Sequence, residues 1–105
     1  MKSLLFLFLF SLILIADEKG EALYNSCKYC HGLKGEKIYA DVIPSINNLD
    51  LNTLELKLRL YKKGLVNEYG FGPIMEQQMK NIPDNNILQL SKYIKSLQKE
   101  NKWRK

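Results

Sequence analysis

Five consecutive residues, Cys27-Lys28-Tyr29-Cys30-His31, constrain this chain more than any other feature, and they hold both of its cysteines and its single histidine. A Cys-x-x-Cys-His run is the attachment sequence of c-type haem. Two intervening residues let one helical turn present both thiols to the two vinyl groups on adjacent edges of a porphyrin. The imidazole that follows is delivered beneath the iron as the proximal ligand. The motif thus calls for one covalently attached haem c with its iron, held by Cys27 and Cys30 and ligated by His31. Competing readings fit less well. A structural zinc site wants four ligands, and two cysteines with one histidine fall short. A thioredoxin-like pair sits beside a βαβ pattern, which is missing here. A plain disulfide remains compatible with an exported chain.

Export is the second inference. Lys2 precedes the apolar run from Leu4 to Ile15, and Ala16 precedes the charged boundary Asp17-Glu18-Lys19. Those are the three parts of a secretory signal peptide. The run is shorter than the roughly 20 residues a bilayer span needs. Leu14 occupies a place where a second small residue is usual, so an uncleaved membrane tether is the alternative. The expected organisation is a signal over residues 1–16 and one domain over residues 17–105. So small a domain has little core for its surface and usually needs a staple or a cofactor. A haem supplies a large apolar body for short helices to pack around.

The charge balance, 16 basic against 11 acidic residues, is moderately cationic. A nucleic-acid binder gathers its charge into a patch or stripe. Beyond the signal the lysines run from Lys19 to Lys105 interleaved with acids, so no nucleic-acid partner is expected. A docking surface for an acidic protein suits the charge better, beside a generally solvated cationic surface.

Three segments read as helical. The first spans about Glu18 to Cys30, with Gly20 and Tyr24 on one face. The last carries Ile87, Leu90, Ile94 and Leu97 at the spacing of an amphipathic helix, with Pro83-Asp84 as its start and Asp84 able to cap it. The middle segment is ambiguous. Leu54-Glu55-Leu56-Lys57-Leu58-Arg59-Leu60 alternates as a half-buried strand would. Against that, Asn52-Thr53-Leu54-Glu55 has capping-box form and Gly64 makes a helix stop. Leu51, Leu54, Leu58, Tyr61 and Leu65 also fit one helical stripe, so we read a helix, which leaves Leu56 and Leu60 on its far side. The stretches from Gly32 to Leu49 and from Leu65 to Pro83 read as irregular.

A single histidine excludes a bis-histidine haem within one chain. The distal position falls to a methionine, a lysine, or an open site for water or a diatomic gas, the last being a sensor's arrangement. Beyond the signal only Met75 and Met79 are available. Both follow Gly70-Phe71-Gly72-Pro73, although a methionine is more often a core filler than a ligand. Pro73 holds φ near about −65° and disfavours helix at Gly72, so the chain is expected to be extended there. Met79 is then placed to pack against the macrocycle edge or the final helix.

Gly20-x-x-x-Tyr24-x-x-Cys27-x-x-Cys30-His31-Gly32 resembles the opening of the small monohaem class I cytochromes c of bacterial periplasms. Gly72-Pro73-Ile74-Met75, then Pro83-Asp84-Asn85-Asn86-Ile87 and Leu90-x-x-Tyr93-Ile94, resemble their ligand loop and final helix. The resemblance implies an all-α, compact cytochrome c fold, with three main helices and irregular loops wrapped around one covalent haem. It implies Met75, ahead of Met79, as the distal ligand. It also implies an N-terminal helix crossing the C-terminal one near Gly20, Tyr24 and Tyr93, and Pro44 as the proline whose carbonyl accepts the proximal Nδ1–H. Two departures stand out. The usual Ser-Asp-Glu start of the last helix is Pro83-Asp84-Asn85, and the link before the ligand carries Asn67, Glu68, Tyr69 and Phe71.

The expected function is that of a monomeric periplasmic electron carrier rather than an enzyme. It would pass single electrons between transient respiratory partners, with Lys28, Lys34, Lys37 and Lys80 as docking lysines. Membrane association is expected only if the N-terminal segment is retained.

Overall fold

The computed structural model describes residues 18–101, with side chains as far as Leu97; the signal reading of residues 1–16 lies outside them. The architecture is all-α. Helix α1 covers residues 18–24, α2 is Lys28–His31, α3 is Leu51–Lys62, α4 is Gly72–Met79 and α5 is Ile87–Asn101, entered through a 3₁₀ turn at Asp84–Asn86. Among the described residues the extended backbone pairs only at an isolated bridge, Tyr39 with Ile43.

The first helix is broken where the sequence reads as continuous. Residues 25–27 form a turn, closed by Asn25 N–H to Ala22 O at 3.3 Å and Cys27 N–H to Tyr24 O at 2.8 Å. Asn25 and Ser26 stand at the break, and such side chains favour turns over helix interiors. The break gives the haem motif its own short helix, independent of the direction of α1.

Helix α3 settles the ambiguous segment. Leu54 and Leu58 are buried, Leu51 and Tyr61 half-buried, and Leu56 is 58 % exposed. Leu65 leaves the stripe, 69 % exposed, because the helix has already ended. Gly64 takes φ +72°, and the bonds Gly64 N–H to Tyr61 O and Leu65 N–H to Leu60 O complete a Schellman stop. The start differs from the capping-box expectation. Asp50 is the cap, accepting from Thr53 N–H at 2.9 Å, so Asn52 and Thr53 lie inside the first turn.

The apolar stripe of α5 is realised: Ile87, Leu90, Ile94 and Leu97 are all buried, with Tyr24, Met79 and Ile82 in the same core. Each fully buried aliphatic side chain contributes about 1.5–3 kcal/mol. Buried Ser91 satisfies its hydroxyl on Ile87 O at 2.8 Å. Asp84 does not cap α5 as expected. No side chain caps that 3₁₀ turn, and the Asp84 carboxylate instead accepts from Lys62 Nζ at 2.8 Å. That ion pair ties the end of α3 to the entrance of α5.

The crossing of α1 and α5 depends on a missing side chain. A Cβ on Gly20 would sit 2.7 Å from Tyr93 Cβ, closer than two carbons can pack. With no Cβ there, Tyr24 and Tyr93 bring their ring centroids to 5.7 Å at an interplanar angle of 51°. This is the crossing that the family resemblance implies.

Candidate functional site

A large apolar cleft opens between α2, α3, α4 and the loop of residues 32–49, enclosing about 1280 Å³ counted out to its open mouth. Cys27, Cys30, His31 and Met75 all line it. The short helix α2 performs on one side what the sequence motif requires, presenting two half-buried free thiols and a buried imidazole to one space. Burial raises the Cys27 thiol above its ordinary value, reinforced by Cys30. Burial also lowers His31, keeping the imidazole neutral, the form that can ligate a metal.

Helix α2 is held in place from behind. The Tyr24 hydroxyl donates to Gly32 O at 2.6 Å, which anchors α1 to the residue after His31. Burial keeps that phenol far above its ordinary range, so it stays a donor. Lys37 N–H also donates to His31 O at 3.0 Å, and Ile46 and Asn47 N–H both reach Gly35 O. These bonds fold the loop back over α2. At its tip Ala40 and Asp41 adopt φ of 53° and 61°, a tight reversal that lets Tyr39 and Ile43 both line the cleft.

His31 Nδ1 is buried with no hydrogen-bond partner. Pro44 lines the cleft, but the implied bond from His31 Nδ1 to its carbonyl is not formed, so here the expectation and the structure part. Two thiols, a neutral imidazole and a thioether around one apolar space fit a haem: soft sulfur and imidazole donors suit iron, and the apolar walls suit the macrocycle. Among the described residues no group of three or more His, Cys, Asp or Glu side chains is arranged to hold a metal ion, so the zinc reading finds no further ligands.

The distal segment differs from its reading as an irregular, extended approach. Gly72 is the first residue of α4 and Pro73 lies in its opening turn. There the missing N–H costs nothing, because the first N–H groups of a helix have no intrahelical acceptor. Gly72 is needed for closeness. A Cβ there would stand 2.1 Å from Val66 O, and its N–H donates to Asn67 Oδ1 at 2.8 Å. The two methionines lie four residues apart on this helix and separate cleanly. Met75 lines the cleft, whereas Met79, 2 % exposed, belongs to the core.

Several lining residues carried no motif in the sequence. Tyr39 and Phe71 meet edge to face at 5.6 Å, joining the loop beside α2 to the entrance of α4. Lys57, Tyr61 and Tyr69 also line the cleft. Lys57 and Tyr61 lie four apart on α3, on the turns of buried Leu54 and Leu58, which is the signal that could have found them. Lys28, Lys34, Lys37 and Lys80 lie outside the lining. Lys28 Nζ stands 5.8 Å from the Tyr29 ring centroid, Lys37 Nζ donates to Tyr29 O at 3.5 Å, and Lys80 is exposed at the end of α4.

Comparison with known proteins agrees with this geometry. The sequence profile described as cytochrome c matches residues 18–98. Two curated relatives, both named cytochrome c-553 and from different strains of Helicobacter pylori, are similar to this chain. One is 35 % identical over 77 residues, covering 73 % of this chain and 76 % of its own length. The other is 32 % identical over 88 residues, covering 84 % and 86 %. No solved structure matches the chain.

Proposed function

Since the chain belongs to the cytochrome c family, as a small monohaem class I protein with covalently attached haem c, we propose that it is a periplasmic single-electron carrier between respiratory partners. In this reading Cys27 and Cys30 hold the haem, His31 is the proximal ligand and Met75 the distal one. The observation that carries it is the convergence of two thiols, one imidazole and one thioether on a single apolar cleft.

The haem supplies a one-electron ferric–ferrous couple, and a thioether in the ligand set favours the ferrous state. The chain's own residues do the rest. Helix α2 holds His31, with Tyr24 fixing its C-terminal end through Gly32. Helix α4 presents Met75 to the cleft while Met79 roots that helix in the core. Ile43, Leu54, Leu58 and Ile94 exclude water from the cleft walls. In this reading His31 and Met75 would both be taken up in holding the haem iron, which supports a carrier over an enzyme.

Export is supported by the apolar N-terminal run. No helix among the described residues is long and apolar enough to cross a membrane. The partners in this reading are transient redox proteins with acidic docking surfaces, met by Lys28, Lys34, Lys37 and Lys80, and the carrier acts as a monomer.

Absorption spectroscopy tests the assignment. The reduced protein should show the sharp split bands of six-coordinate haem c, and the ferric protein a thioether-to-iron charge-transfer band in the red. Cys27→Ser with Cys30→Ser should abolish covalent haem retention and leave a poorly folded chain. A coloured, covalently loaded double variant would defeat the assignment, and a broad high-spin reduced spectrum of the unmutated protein would favour an open-site sensor.

A further inference from the structure

Among the residues lining the cleft, Lys57 is the one bearing a lysine or arginine cation, and no carboxylate lines it. The side chain is 36 % exposed, and its ammonium stands 3.8 Å from Glu68, whose own side chain is 58 % exposed. That separation is at the outer edge of an ion pair. Pairs of such length and exposure hold little energy and exchange readily. Lys57 therefore has a partner it can leave. Its position is unusual for a surface lysine. It lies on α3 between buried Leu54 and Leu58, so its stem runs along apolar surface while its head reaches the edge of the cleft.

The chemistry of the cofactor says what the head is for. A protohaem carries two vinyl groups on one half of the ring and two carboxylates on the other. In the proposed function Cys27 and Cys30 consume the vinyl half. The carboxylate half must then find donors elsewhere along the cleft, because an ionised carboxylate against apolar side chains is strongly disfavoured unless it is paired. The walls are otherwise aliphatic, aromatic or neutral polar. We infer that Lys57 is the residue that receives the haem carboxylates, exchanging Glu68 for them, with the Tyr61 and Tyr69 hydroxyls as neighbouring donors. The inference rests on the proposed haem attachment and adds to it a residue that orients the ring and sets its charge environment. Tyr61 suits the donor role: burial, then Glu68 and Tyr69, raise its phenol above the ordinary value, so the hydroxyl keeps its proton.

A cation held against these carboxylates offsets their negative charge beside the iron and favours the ferrous form. The test uses the haem-loaded protein, with Lys57→Met, Lys57→Arg and, as a control for any exposed cation, Lys92→Met. Covalent haem content and the red charge-transfer band are measured first, so that failure of the haem or Met75 assignments is seen separately. Midpoint potentials are then taken at low and high ionic strength. Lys57→Met should keep both haem and band, yet lower the ferrous-to-ferric ratio at a fixed potential about three- to tenfold, tenfold being about 59 mV for one electron. High salt should leave most of that shift, since a contact is screened far less than a distant surface charge. Lys57→Arg should restore most of it. If Lys57→Met fails to load, Glu68→Gln decides, and should move the ratio the opposite way by removing the competitor. A Lys57→Met shift no larger than that of Lys92→Met and erased by salt overturns the inference. So does a Glu68→Gln variant with an unmoved potential, where that variant has to decide.

Discussion

Where α1 crosses α5, the polypeptide closes upon itself. Gly20 admits Tyr93, the Tyr24 hydroxyl finds Gly32, and Met79, Ile87 and Leu90 fill the space behind them. On the cleft side, Leu54, Leu58, Tyr61, Phe71 and Met75 instead face an opening, and His31 Nδ1 is buried without a partner. Both regions draw on the same helices, since α3, α4 and α5 each contribute to core and cleft alike. The contrast separates what the chain does for its own stability from what it does for a cofactor. A surface meant only for stability would have collapsed onto its neighbours, whereas this one leaves Tyr61, Phe71 and Met75 only half-buried around an open cleft.

The methionines of α4 offer the sharpest way to break that comparison. Met79→Ala should cost about 2–5 kcal/mol in chemical denaturation, the range for truncating a buried methionine, while the red band of the ferric protein persists. Met75→Ala should remove the band, lower the midpoint potential and open the iron to carbon monoxide, with a smaller loss of stability. The opposite pattern, with the band lost only in the Met79 variant, would move the ligand into what we describe as core.

Gly20→Val probes the crossing alone. With Tyr93 Cβ only 2.7 Å from an added Cβ, the helices must separate, and overpacking of this kind costs about 1–3 kcal/mol. Thermal unfolding should record that loss with the spectrum unchanged. An altered spectrum in this variant would show that the two regions are not separable.

Acid should produce the smallest effect. Asp50 is held below its ordinary value by the Thr53 bonds at the start of α3, and Asp84 by the Lys62 bond and charge. A carboxyl with a depressed folded-state value binds fewer protons than the unfolded chain. Its contribution is therefore complete above the unfolded value near 3.8 and is lost as pH falls through the lower folded value. Stability should decline modestly over that window, and Asp50→Asn with Asp84→Asn should flatten the decline. An unchanged acid limb in the double variant would place the sensitivity elsewhere.

Much of this was legible in the residues themselves. The α5 stripe could be read because its apolar positions recur at helical spacing without a competing pattern. The α2 chemistry could be read because Cys27, Cys30 and His31 are contiguous. Helix α4 was hidden by its own punctuation. Gly72-Pro73 suggests a break, yet a proline in a first turn starts helices as well as ending them, and only the packing of Met79 decides between the two. Lys57 was hidden because a lysine in an alternating segment looks solvated, and its place beside the cleft depends on where α3 lies against α4. Asp84 looked like a cap, but Lys62, distant in sequence, outcompetes the local backbone for its carboxylate. The Pro44 carbonyl fails for a related reason: that bond depends on how the loop of residues 32–49 lies over α2, which no local pattern encodes.

Because Met75 and Met79 share one eight-residue helix, that helix couples colour to cohesion. Met79 is its root among Tyr24, Ile82 and Leu90, and a short rigid rod cannot loosen at one end and keep its aim at the other. Warming that frees the root should dim the red band before the chain unfolds globally, so an absorbance reading would act as an optical gauge of a distant interior. Substitutions among those residues, none of which lines the cleft, then become a means of setting the temperature at which the band fades, while leaving it in place in the cold.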